Sequence, residues 1–244
     1  MDRFARFKWY RQFASALLLF AVPLSVLVGG GRVGAFAYSQ LGITNYLVNY
    51  GSQALITTTY PTVPYPQASF EFVNSYVYAG STQRFVQTGT ARAPQCGSQD
   101  TTYVYTEWTA DDANFHPVCS DQALSGIYSY FQQTNSQGYW CSGWSNNPCI
   151  QSAANTDVGM GQADYVVVDG ETSDPSADMG GISTDPAVIQ DVTYKATADG
   201  GIDQGVYSYG EYYGSCAANP CPYMWIDGVG GSYGTLYTEN WTSR

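Results

Sequence analysis

The sequence predicts an all-β fold, an antiparallel sandwich of two packed sheets. Three observations carry this. The 244 residues include 22 Tyr and 26 Gly, with abundant Thr, Ser and Val and very few Lys or Leu, a composition that suits strands and turns. No long stretch repeats its apolar residues at helical spacing. About ten short runs alternate with period two and are separated by turn signals.

The first element is an address. Arg3, Arg6, Lys8 and Arg11 precede an apolar run over 13–28, and Ala35-Phe36-Ala37 offers a small-x-small cleavage site. The run contains Pro23 and is short for spanning a bilayer, so residues 1–37 read as an export signal and the mature chain as secreted and extracellular, with no membrane contact. Cleavage there removes five basic residues and one acid, leaving four basic and 19 acidic residues, a formal charge of −15. Such a surface repels phosphate backbones, which excludes nucleic acid as a partner. A single domain of about 207 residues remains, and a monomer is expected.

Residues 38–66 read as an extended segment: an edge strand, a strap or the remains of a propeptide. The prolines of T-T-T-Y-P-T-V-P-Y-P favour extended or polyproline backbone. The sandwich itself is placed over 67–244. Its strands are predicted at 68–78, 83–88, 101–109, 126–132, 139–145, 163–168, 188–196, 206–213, 223–227 and 235–240. The turns between them are marked by Ala79-Gly80, by 135–138, by Asp199-Gly200-Gly201 and by 228–231. This many strands in one domain implies two packed sheets.

Six cysteines in an exported chain imply three disulfides. Cys141 with Cys149 and Cys216 with Cys221 would each close a short loop containing Pro and Asn, while Cys96 and Cys119 flank the strand at 101–109. That is one of 15 connectivities. A zinc site would need Cys-x-x-Cys pairs or more histidine than the single His116, so no metal is expected.

The chemistry narrows by exclusion. No G-x-S-x-G elbow, H-E-x-x-H, Walker A or dinucleotide fingerprint is present, and no cofactor is implied. His116 lies beside Pro117 and near Cys119 and reads as structural or exposed. Carboxylate chemistry remains. Alternation puts Phe85 and Gln87 on one face of their strand, and Tyr103, Tyr105 and Glu107 on one face of the next, with Val104, Thr106 and Trp108 opposite. If those faces line the concave side of a sheet, Gln87, Tyr105 and Glu107 converge in a groove; a solvated outer face explains the same pattern.

The pieces F-V-Q-T-G and Y-V-Y-T-E-W resemble the glutamic peptidases of the eqolisin type. The run V-Y-T-E-W-T-A-D, the following Cys119 and the later V-D-G-E-T resemble the neprosin-type prolyl-cleaving peptidases more closely. Both families share a lectin-like β-sandwich of the concanavalin jelly-roll kind. The resemblance implies an acid-acting secreted endopeptidase whose catalytic positions fall on Gln87 and Glu171. Gln87 departs from the neprosin type, where a glutamate occupies that strand, and Asp169-Gly170 stands where two glycines are usual.

In that reading Glu171 is the general base and Gln87 positions the water and donates to the oxyanion. Glu107 would fix the Gln87 amide; Tyr105, Trp108 and Asp164 would support the groove or bind substrate. Asp169 reads as a turn residue and Glu211 as a reserve acid. The partner would be a polypeptide, with a proline-containing one included. Two other readings stay open: a silent lectin-like sandwich whose tyrosines stack on polysaccharide, and a glycoside hydrolase using Glu107 and Glu171.

Overall fold

The computed structural model describes side chains between 46 and 202, apart from 74, 78–82, 99, 112–113 and 174–186, together with backbone strands on either side of that span. In chain order the strands begin β1 Pro23–Val28, β2 Gly31–Phe36, β3 Ser39–Asn49, β4 Gly51–Thr58, β5 Ser69–Ala79 and β6 Thr82–Arg92. There follow β7 Tyr103–Thr109, β8 Phe115–Gln122, β9 Gly126–Thr134, β10 Tyr139–Trp144, β11 Asn147–Ala154 and β12 Ala163–Thr172. The last are β13 Gly181–Ile182, β14 Asp185–Lys195, β15 Ile202–Gly205, β16 Glu211–Tyr213, β17 Met224–Asp227 and β18 Thr235–Thr238.

Among the described residues two large antiparallel sheets result, beside the β1–β2 pair. One runs β16-β3-β12-β5-β6-β7-β8; the other runs β11-β10-β9-β4-β14-β18-β17, with β13 and β15 also pairing with β14. β1 and β2 pair only with each other among the described residues, so the apolar run read as an export signal contributes a hairpin. Among the described residues no helix is long and apolar enough to cross a membrane. The Cys216–Cys221 pairing and the side chain of Glu211 lie outside the described residues.

The core explains the stacking. Val73, Val104, Val166 and Val168 leave one face of the first sheet and meet Ile56, Tyr130, Trp144 and Ile189 of the second. This is period-two alternation with one face made dry. Trp140, among the largest fully buried side chains, satisfies its indole N–H on the Met160 carbonyl at 2.8 Å.

The N-terminal segment differs most from its reading. Residues 39–49 and 51–58 are strands inside the two sheets, β3 beside β12 and β4 between β9 and β14. Their sequences hide this because Gln, Asn, Thr and Ser interrupt the apolar alternation, and partners far along the chain supply the pairing. β8 and β11 were missed although their partners β7 and β10 directly precede them, because Pro, Ser, Gln and Asn break their alternation. β12 runs four residues past its predicted end, so Asp169 lies within a strand, paired with Gly42 and Phe72, and is not a turn residue. The local D-G signal is overridden by strands on both sides.

Among the described residues two disulfides are formed, Cys96–Cys119 and Cys141–Cys149. The first pins a 3-10 turn, Pro94–Cys96, to β8 across a separation of 23 residues. Cys96→Ser with Cys119→Ser should cost about 3 kcal/mol of stability from the larger freedom of the unfolded chain. A shift of less than about 0.5 kcal/mol in denaturant unfolding would refute that expectation.

Candidate functional site

The site lies on the face of the first sheet that turns away from the second. Because paired residues of an antiparallel sheet share a face, the register writes that face as rows. One row runs Thr44, Val167, Asn74, Gln87, Glu107, Pro117. The next, two residues along, runs Gly42, Asp169, Phe72, Gly89, Tyr105, Cys119. Glu171 follows in a third row with Phe70, Ala91 and Tyr103. Gln87, Tyr105, Glu107, Asp169 and Glu171 therefore project from one side of a continuous sheet.

Gln87 and Glu107 are directly opposed on β6 and β7, and the amide Nε2 donates to the carboxyl Oε2 at 2.8 Å. Behind Gln87 its neighbour Thr88 points the other way and donates to the Phe131 carbonyl at 3.1 Å, anchoring β6 to the second sheet. Gly89 completes the Q-T-G stretch where β5 comes close: a Cβ there would lie 1.9 Å from the Glu71 carbonyl oxygen.

Burial dominates the electrostatics. Gln87 and Glu107 are each 2% exposed and Glu171 4%. Removal from water raises the Glu107 pKa to about 8, against the opposing pull of the Tyr105 hydroxyl and the Gln87 amide, both of which favour the carboxylate. Glu171 is also raised to about 8, by burial first and then by the charge of Glu107. Tyr105 is pushed up by burial, then by Glu107, and to a lesser extent by Glu171. Glu107, Tyr105 and Glu171 thus share one electrostatic environment. Such a set of perturbed acids beside an amide donor can hold, exchange and deliver protons.

No family model matches the chain, and no curated protein matches it. Among solved structures the chain is similar to Scytalido-glutamic peptidase with a peptide-based transition-state analog, at 9% identity and a TM-score of 0.49, over 83% of this chain and 98% of that one. It is also similar to SCP-B, a member of the eqolisin family of peptidases in complex with the tripeptide Ala-Ile-His, at 12% identity and a TM-score of 0.49, over 82% and 98% of the two chains. At these identities and TM-scores neither likeness says what this chain does or how it folds.

The remaining sequence candidates are placed elsewhere. Trp108 lies on the opposite face of β7 from Glu107, with its ring stacked on His116 at 3.8 Å. Asp164 sits at an irregularity in the β12–β3 pairing, half-buried, three residues before Val167 of the Gln87 row. Gln87 and Glu171 are two strands and four residues apart, about 10 Å across the sheet and about 13 Å along it, roughly 16 Å in all between backbones, which is beyond direct hydrogen-bond reach of the two side chains, so substrate and water must lie between them for both to act together. Asp169, 1% exposed, stands one row nearer to Gln87. Its period-two spacing from Glu171 is the signal that could have placed it on this face. Among the described residues no group of three or more His, Cys, Asp or Glu is arranged to hold a metal.

Proposed function

We propose that the chain is an exported endopeptidase of the glutamic type, acting on polypeptides through Gln87 and Glu171, with Glu107 setting the orientation of the Gln87 amide. The observation that carries this reading is the buried Gln87–Glu107 hydrogen bond on a face that also bears Glu171. A carboxyl accepting from one N–H leaves the second N–H of Gln87 for an oxyanion and its Oε1 for a water proton. Glu171 takes the proton as the water oxygen attacks the peptide carbonyl and returns it to the departing amine.

The working pH follows from the form that works. A base acts ionised, and burial with the Glu107 charge holds Glu171 neutral up to about 8. Activity in acid therefore requires that substrate and water entering the face lower that value. Glu107→Gln removes the repulsion, so the rising limb of kcat/KM should move to lower pH; a limb that stays in place or moves up would refute the coupling.

The mutual influence of Glu107 and Glu171 favours a second reading, glycoside hydrolysis by a carboxyl pair. It is the weaker, because that chemistry needs one acid neutral and the other ionised, and burial pushes both the same way. The test is cleavage of a denatured protein between about pH 2 and pH 8. Gln87→Ala and Glu171→Gln should each lower kcat by about 10²-fold or more. Full activity in Glu171→Gln with loss in Asp169→Asn would transfer the base to Asp169. Hydrolysis of aryl glycosides and not of protein would overturn the peptidase reading.

A further inference from the structure

A row of aromatic residues crosses the same face beside the polar one. The register aligns Tyr46, Tyr165, Tyr76, Phe85, Thr109 and Phe115 on six neighbouring strands. Tyr165 stacks on Tyr76 with centroids 4.6 Å apart and planes 8° from parallel, and Tyr46 meets Tyr165 edge-on at 5.1 Å. At the other end Phe85 and Phe115 pack at 6.0 Å. Tyr76, Phe85 and Phe115 are buried, whereas Tyr46 is 73% exposed. On the outer side of β3 the described pairing covers 42–44, so Tyr46 lies two residues beyond it.

We propose that Tyr46 and Tyr165 form a stacking subsite for a ring-bearing residue, aromatic or proline, of an extended peptide. The ligand class rests on the peptidase reading; the subsite rests on the ring geometry. From Tyr165 to Gln87 is two strands across and two residues along, about 12 Å between backbones, which three to four residues of extended peptide span. A substrate presenting its scissile bond to Gln87 lays a residue three or four positions away on the exposed Tyr46 ring and the half-buried Tyr165 beside it. The buried part of the row holds Tyr165 in place, so the ring it offers is already ordered before a ligand arrives. Aromatic faces attract rings through offset and edge contacts that an alanine methyl does not make.

The experiment uses a peptide series identical except at that position, which carries Phe, Pro or Ala. Cleavage is measured with the wild-type chain, and binding with Gln87→Ala. Tyr46→Ala should lower kcat/KM for the Phe and Pro peptides by about tenfold, leave the Ala peptide unchanged, and be rescued by Tyr46→Phe. An equal loss on all three peptides, or none, overturns the subsite. If no peptide is cleaved by the wild type, the peptidase reading fails separately. In that case a dissociation constant weaker for the Ala peptide by the same factor, and abolished as a distinction by Tyr46→Ala, still sustains the subsite. Binding of oligosaccharides with no binding of the peptides overturns it.

Discussion

Moving the folded chain from about pH 4 to about pH 8 should destabilise it steeply. The cause is the pair Glu107 and Glu171, both raised by burial to about 8 from an ordinary carboxyl value of 4.5. In the unfolded chain each acid loses its proton near 4.5, while in the folded chain it keeps it until about 8. Between those values the folded state binds more protons, so stability is fully present below the lower value and is lost as pH rises through the higher one. Each carboxyl contributes roughly 1.4 kcal/mol per pH unit in that window, and the total falls short of twice the single figure where the two charges repel each other. Guanidinium unfolding at pH 4, 6 and 8 checks the expectation. Glu107→Gln and Glu171→Gln should each flatten the slope, and a wild-type stability that stays level or rises over this range would refute it. Ordinary surface carboxylates do not produce such a fall.

The second large effect is expected at Gly89. A methyl group there would sit 1.9 Å from the Glu71 carbonyl oxygen and 2.6 Å from the Phe72 Cα, both of them backbone atoms of β5. No rotamer change relieves a clash with a neighbouring strand, so β5 and β6 would have to part across their central pairs. Gly89→Ala should cost about 3 kcal/mol or more, at the upper end of overpacking penalties, and lower the thermal midpoint accordingly. Gly201→Ala is the control, since a Cβ there meets nothing within 4 Å. A Gly89→Ala chain as stable as Gly201→Ala would show that the two strands are not held so closely.

How far the sequence revealed this molecule depends on where each strand finds its partners. β5, β6, β7 and β10 were legible because their alternation is strong and punctuated by turns. Parity gave the side of its own strand for Gln87 and for Glu107, but that the two share one face was only a condition until the register showed it. Q-T-G drew notice through its resemblance, and the close backbone approach at Gly89 emerged only from the structure. β3 and β4 were illegible because they owe their pairing to β12, β9 and β14, all far away in the chain, the nearest paired residues being Thr58 and Gly126. Asp169 was misread for a related reason: D-G has the local chemistry of a turn, and only strands on both sides extend β12 through it. Parity also put Trp108 opposite Glu107, and the structure keeps it there, away from the groove it was offered as a support for.

β5 and β6 pair without interruption from Ser69 opposite Arg92 to Ala79 opposite Thr82. Along such a ladder the side of the sheet on which a residue emerges is set by counting, odd or even. Substitutions on the face edit one group at a time, but a single inserted residue ahead of Gln87 would turn the outward set inward from that point on, sending the amide toward the valine core and a threonine or valine to its place. Variation in this chain is therefore tolerated by letter and not by length, and a library built to alter its chemistry should hold the spacing of β6 and β7 fixed.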